Sequence, residues 1–132
     1  MDSVTIDNAT DLSSKPRIAV DTAGEPPATL VSEDLVEGDG PELASGATAS
    51  VQYVGVSWST GREFDASWDR GQPFGFPVGG GRVIAGWDQG VVGMRAGGRR
   101  LLVIPPELGY GDRGAGGVIA PGETLVFVVD AL

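Results

Sequence analysis

At 132 residues the chain has room for one domain with a real core, and not for two ordinary ones. It contains no cysteine and no histidine, which excludes disulfides, Cys/His zinc sites, thiol nucleophiles and a Ser-His-Asp triad in its usual form. The net charge of −9 is concentrated near the start, where ten acids in residues 1–42 face only Lys15 and Arg17, so no basic stripe is available for nucleic acid.

Residues 1–28 are acidic, interrupted by proline and without sustained periodicity, and end in Gly24-Glu25-Pro26-Pro27, a run that resists helix and central strand alike. They read as a flexible N-terminal tail ahead of a domain over 29–132. The segment from Thr29 to Val36 reads as a first strand at a sheet edge, followed by a turn over Gly38–Glu42. Residues 47–58 alternate with period two and are rich in β-branched and aromatic residues, which predicts a strand. Further strands are expected over 62–67 and 74–78, the second ended by Pro77. Phe76 is read as core, on the opposite face of that strand from Phe74.

In 83–94 the apolar residues Val83, Ile84, Trp87, Val91 and Met94 fall on one helical face. Gly86 and Gly90 each weaken such a helix by about 1 kcal/mol relative to alanine, so packing on a sheet must hold it. Two more strands are predicted over 99–104 and 124–132, separated by a glycine-rich loop of a length that is often functional. Arg99 and Arg100 are placed at a solvated strand end. Gly79-Gly80-Gly81 precedes the helix without a lysine to hold phosphates, so no nucleotide site is read. Strands outnumber the helix and no βαβ alternation exists, so the fold class is α+β, a strongly twisted antiparallel sheet of about five strands half-wrapped around one short helix. A pocket is expected between them.

No apolar run approaches the roughly 20 residues of a membrane-spanning helix, and residues 1–20 lack the basic start and apolar stretch of a secretory signal. A cytoplasmic monomer is the expectation, a secreted domain or a piece of a longer protein the alternative. Taken one at a time, the aromatic residues here read as core, Asp65 as a turn acid with Arg70 as its ion-pair partner, and Tyr110 as a turn anchor between two glycines. Trp58 and Trp68 read as packing residues.

The order of motifs changes those readings. VQYVG, EFDAS, PFGFPVG, VIAGWDQGV, GGRRLLVIPPELGYG and TLVFVV, in this sequence over about residues 29–132, together resemble the FKBP-type peptidyl-prolyl cis/trans isomerases. The resemblance implies a pocket floored by Trp87 and walled by Tyr53, Phe64, Phe74 and Phe127, with Val83 and Ile84 at its rim and Ile119 reaching in from a flap. It implies Asp65, Arg70 and Tyr110 as polar groups, Asp65 and Tyr110 with the aromatic residues Tyr53, Phe64, Trp87 and Phe127 as the catalytic set, and the Ile84 N–H as a donor to a substrate carbonyl. The implied partners are proline-containing peptides, unfolded proteins and macrolides of the tacrolimus and rapamycin type, with no cofactor and no metal. Rotation about a peptide bond needs no nucleophile, only a site that favours the twisted amide, which fits a chain lacking histidine and cysteine. A catalytically weak binding or chaperone module using the same pocket is the alternative. Ala115 and Gly116 at the flap tip and Arg82 before the helix depart from many relatives.

Overall fold

In the computed structural model, which describes residues 3–132, eight strands and one α-helix follow the predicted order with additions at the start. They are β1 (Val4–Asp7), β2 (Arg17–Val20), β3 (Val31–Val36), β4 (Thr48–Ser57), β5 (Glu63–Ala66), β6 (Phe74–Pro77), α1 (Ala85–Gly90), β7 (Arg99–Ile104) and β8 (Leu125–Ala131). Six of the strands form one sheet in the order β3-β7-β8-β4-β5, with β6 also on β4. Every pairing is antiparallel. β5 takes Val54–Val56 of β4 and β6 takes Thr48–Val51, so they divide one edge of the long strand between them. The loop joining them, with a 3-10 turn over Ser67–Arg70, stands at the break. β3 occupies the opposite edge, as predicted.

The helix is shorter than the apolar periodicity of 83–94 predicts. Ile84 is extended at φ −58°, ψ 150°, and Val91 ends the helix; with only six residues, the element depends on its contacts with the sheet. The two glycines that weaken it allow those contacts. A Cβ on Gly86 would stand 2.5 Å from the Ile104 side chain, and one on Gly90 would stand 2.7 Å from that of Leu102. Arg100 ties the far end of α1 down by donating to the carbonyls of Gly90 (2.8 Å) and Val92 (2.9 Å) and to Asp34 (2.7 Å), placing a cation where unsatisfied helix carbonyls collect.

Alternation along the strands sends side chains to two cores. Val51, Tyr53, Leu102, Ile104, Leu125, Phe127 and Val129 face α1. Val54, Val56, Leu101, Val103, Val126 and Val128 face the other way, where they meet Val4 and Ile18 of the β1–β2 hairpin and Trp58. Both sheet faces are therefore covered, which is why β8 is buried along its whole length. The reading of residues 1–28 as a flexible tail does not hold for Val4–Val20: two short strands with only two buried apolar side chains give too weak a local pattern to predict, and the sheet supplies the stabilising contact. Trp58, read as a packing residue, is buried in this core and donates its indole N–H to the Gly24 carbonyl at 3.0 Å. Trp68 packs against the same core.

Arg99 is likewise not at a solvated strand end. Its side chain is fully buried on the outer face, opposite Asp130 in the β7–β8 register. Nε and an Nη donate to the two carboxylate oxygens at 2.6 and 2.8 Å, and the remaining donors reach the carbonyls of Asn8 and Ser14 (the latter 3.1 Å) in the hairpin loop. The guanidinium thus bolts the hairpin to the sheet. Phe74 and Phe76 also differ from expectation. Residues two apart share a strand face, and their rings stack at 5.7 Å and 22°, with Phe76 buried and Phe74 partly exposed.

Removing one member of the buried pair strands the other charge. Arg99→Met is expected to lower unfolding stability by about 3–5 kcal/mol, and Arg99→Met combined with Asp130→Leu to recover most of that loss. Urea unfolding of the single and double variants measures both; equal losses in the two would mean that the carboxylate is not what the arginine neutralises.

Candidate functional site

A cleft of about 200 Å³ opens between the concave face of the sheet and the start of α1, lined by Tyr53, Phe64, Asp65, Phe74, Arg82, Val83, Ile84, Trp87, Tyr110 and Phe127. Its floor is the Trp87 indole, held edge-on by Tyr53 at 4.9 Å and 84° and by Phe127 at 5.3 Å and 88°. Edge-to-face contacts of this kind are favourable because the positive ring edge meets a negative ring face. Phe64 continues the wall against Phe127 at 5.5 Å and 87°. That packing requires Gly55, where a Cβ would lie 2.6 Å from Phe127 and 2.7 Å from Phe64.

The polar corner is a closed triangle. The Tyr53 hydroxyl donates to Asp65 Oδ2 at 2.5 Å, while Arg70 donates to Asp65 Oδ1 at 2.5 Å and to the Tyr53 oxygen at 2.7 Å. Arg70 is brought there by the 3-10 turn, anchored by the buried Ser67 hydroxyl, which accepts from the Tyr53 N–H at 2.7 Å and donates to Gln52 at 2.5 Å. Burial alone would raise the Asp65 carboxyl. The hydrogen bonds from Tyr53 and Arg70, with the arginine's charge, together outweigh it and hold the pKa below the ordinary carboxylate value. Burial and the neighbouring carboxylate push the Tyr53 phenol up, so it stays a donor. Asp65 is ionised at neutral pH with both oxygens occupied, a poor arrangement for a general base and a good one for orienting Tyr53.

Several donors lining the cleft are without a partner among the described residues, the buried Trp87 indole N–H and the Arg82 guanidinium among them. Among the described residues no acceptor takes the Ile84 N–H or the Tyr110 hydroxyl, and Tyr110 is 41% exposed. The long loop that presents Tyr110 is internally bonded rather than slack: Gly111 N–H reaches the Pro106 carbonyl at 2.8 Å, and Ala115 and Ile119 exchange bonds of 2.9 and 3.0 Å across a flap whose Gly114, Gly116 and Gly117 have positive φ.

Most of the residues chosen from the sequence meet in this cleft. Arg70 stands behind it as the clamp on Asp65 and Tyr53. Ile119 is buried and lines an adjoining groove that shares Phe64 with the cleft. Arg82, noted in the sequence only as a departure, lines the cleft, and the anchoring role of Ser67 had no signal beyond its place in the FDAS motif.

The cleft is a preformed aromatic slot of a size for one small apolar ring, with unpaired donors at its rim. Residues 40–132 match the family model for FKBP-type peptidyl-prolyl cis-trans isomerase. The FK506-binding protein of Streptomyces anulatus is 66% identical over 108 residues, covering 81% of this chain and 87% of that protein. A probable FK506-binding protein of Corynebacterium glutamicum is 48% identical over 118 residues, covering 89% and 97%. Among solved structures, AtFKBP13 superposes with a TM-score of 0.72 at 43% identity, covering 80% of this chain and 93% of that one. FkpA from Escherichia coli gives 0.71 at 43%, covering 78% and 46%. The chain belongs to the FKBP-type peptidyl-prolyl cis-trans isomerase family. Its sheet-on-helix fold is that of these structures.

The triangle makes a titration prediction. A depressed carboxyl pKa contributes stability that is present above the unfolded value of about 3.9 and lost as pH falls through the folded value. In Tyr53→Phe, the ¹³C titration of the Asp65 carboxyl is expected to move upward, and the stability gap between wild type and variant to be smaller at pH 2 than at pH 6. An unmoved Asp65 titration would show that Tyr53 does not hold the carboxylate.

Proposed function

We propose that the chain accelerates rotation about Xaa-Pro peptide bonds, acting as a monomer on proline-containing segments of unfolded proteins, and that macrolides of the tacrolimus and rapamycin type compete for the same slot. The observation that carries this reading is the Trp87-floored slot with the free Ile84 N–H and Tyr110 hydroxyl at its rim. Family membership and the FK506-binding names of the two relatives support it. The lack of cysteine fits a reducing compartment such as the cytoplasm.

The barrier to rotation is about 18–20 kcal/mol because resonance keeps the amide planar. Resonance also places charge on the carbonyl oxygen, and water stabilises that charge. Seating the pyrrolidine ring on Trp87, between Tyr53, Phe64 and Phe127, excludes water from the bond and withdraws this support from the planar forms. Donors at Ile84 and Tyr110 hold the flanking carbonyls, so the chain on either side of the bond is fixed while the bond turns. The site thereby favours the twisted amide over both planar isomers, which is differential transition-state binding. No proton is transferred, which agrees with an Asp65 whose oxygens are both engaged.

A protease-coupled assay on Xaa-Pro tetrapeptides tests the reading. Wild type is expected to accelerate isomerisation, rapamycin to abolish the acceleration, and EDTA to leave it unchanged. Tyr110→Phe removes one hydrogen bond of about 1 kcal/mol and is expected to lower kcat/KM about fivefold. Tight macrolide binding without acceleration would leave a binding module; absence of both would overturn the proposal.

A further inference from the structure

Beside the prolyl slot lies a larger groove of about 680 Å³, against about 200 Å³ for the slot itself. It runs between the β4–β5 turn and the flap, and the Phe64 ring is common to both cavities. Its flap wall presents Val118, a large apolar side chain left 60% exposed, next to the buried Ile119. Arg62 lines it from the β4–β5 turn and Arg113 from the flap loop, both exposed. Among the described residues, neither guanidinium has a carboxylate or carbonyl partner.

The groove's own acids are already engaged. Glu63 meets Lys15 at 3.1 Å. Glu123 is buried, and its carboxylate accepts from the Ser59 N–H at 3.0 Å and the Ser59 hydroxyl at 2.5 Å. Two unpaired cations beside an exposed apolar side chain are the complement of a chain segment carrying both an apolar and an acidic residue. An extended peptide advances about 3.3 Å per residue, so a client whose proline fills the slot has its neighbouring residues at the groove.

We propose that this groove is a client subsite that receives the residues adjoining the proline, seating an apolar side chain against Val118 and Ile119 and an acidic one at Arg62 and Arg113. The proposal rests on the slot being the prolyl site, and it names the substrate class: proline segments flanked by acidic residues. In a protein of net charge −9, such a local pair of cations selects for acidic clients at contact range while the overall charge repels them at longer range.

The test uses the full chain and fluorescein-labelled peptides with a Leu-Pro centre extended, on either side, by Val-Glu-Glu or by Val-Lys-Lys, with binding read by anisotropy. Wild type is expected to bind the better-placed acidic peptide about fivefold more tightly than its lysine counterpart, the size expected of exposed ion pairs. Arg62→Glu combined with Arg113→Glu should reverse that order, and 0.5 M salt should flatten it. Turnover of an unextended Leu-Pro tetrapeptide should be the same in both proteins. Equal binding of acidic and lysine peptides, or a preference that survives the double charge reversal, overturns the subsite. Discrimination without tetrapeptide turnover keeps the groove and removes the isomerase reading instead; normal turnover without discrimination removes the groove alone. Circular-dichroism melts of the variant confirm that the exposed substitutions leave the fold intact.

Discussion

The close approach of α1 to the sheet is the constraint on which the site depends. Two missing side chains, at Gly86 and Gly90, let six residues of helix lie directly on Ile104 and Leu102. Each glycine costs such a helix about 1 kcal/mol in isolation, and burial of Trp87, Val91 and Met94 against the sheet offsets it. With the backbone so close, the Trp87 indole lies across the concavity as a floor, its edge contacts to Tyr53 and Phe127 fixing its plane. A larger residue at either glycine would lift the helix and open the slot.

The sheet is rigid enough to position these groups because neither face is left to water. The face toward α1 carries the slot, and the opposite face is closed by the β1–β2 hairpin. The hairpin lies outside the stretch matched by the family model and reaches into the sheet through carbonyls that accept from Arg99. The Arg99–Asp130 pair has its charges balanced and the guanidinium donors occupied, which is the condition for tolerating ions in a low-dielectric core. Its value lies in register, since it joins β7, β8 and the hairpin loop at one point.

Within the slot, chemistry follows from orientation. Tyr53, Asp65 and Arg70 satisfy one another, so the polar corner stays organised when the apolar walls exclude water. Among the described residues the buried indole N–H groups of Trp68 and Trp87 have no partner, and at the surface of the cleft and groove the Ile84 N–H, Tyr110, Arg82, Arg62 and Arg113 are left for a bound peptide to meet.

Much of this was readable in the chain before folding. Period-two alternation located β4, the apolar runs over 99–104 and 124–132 located β7 and β8, and the ordered motifs from VQYVG to TLVFVV located the slot residues Tyr53, Phe64, Asp65, Trp87, Tyr110 and Phe127, because strand patterning and short motifs are local properties. What only the tertiary structure decided depends on partners distant in sequence. The N-terminal hairpin became ordered because the outer sheet face needed cover. Arg99 became buried because Asp130, thirty-one residues away, faces it across the β7–β8 ladder. Gly86 and Gly90, unfavourable within the helix, became necessary because Ile104 and Leu102 lie beneath them. Local sequence determines which segments are strands and which residues carry the chemistry; the burial of charges, the ordering of weak elements and the depth of the slot are set by what each segment packs against.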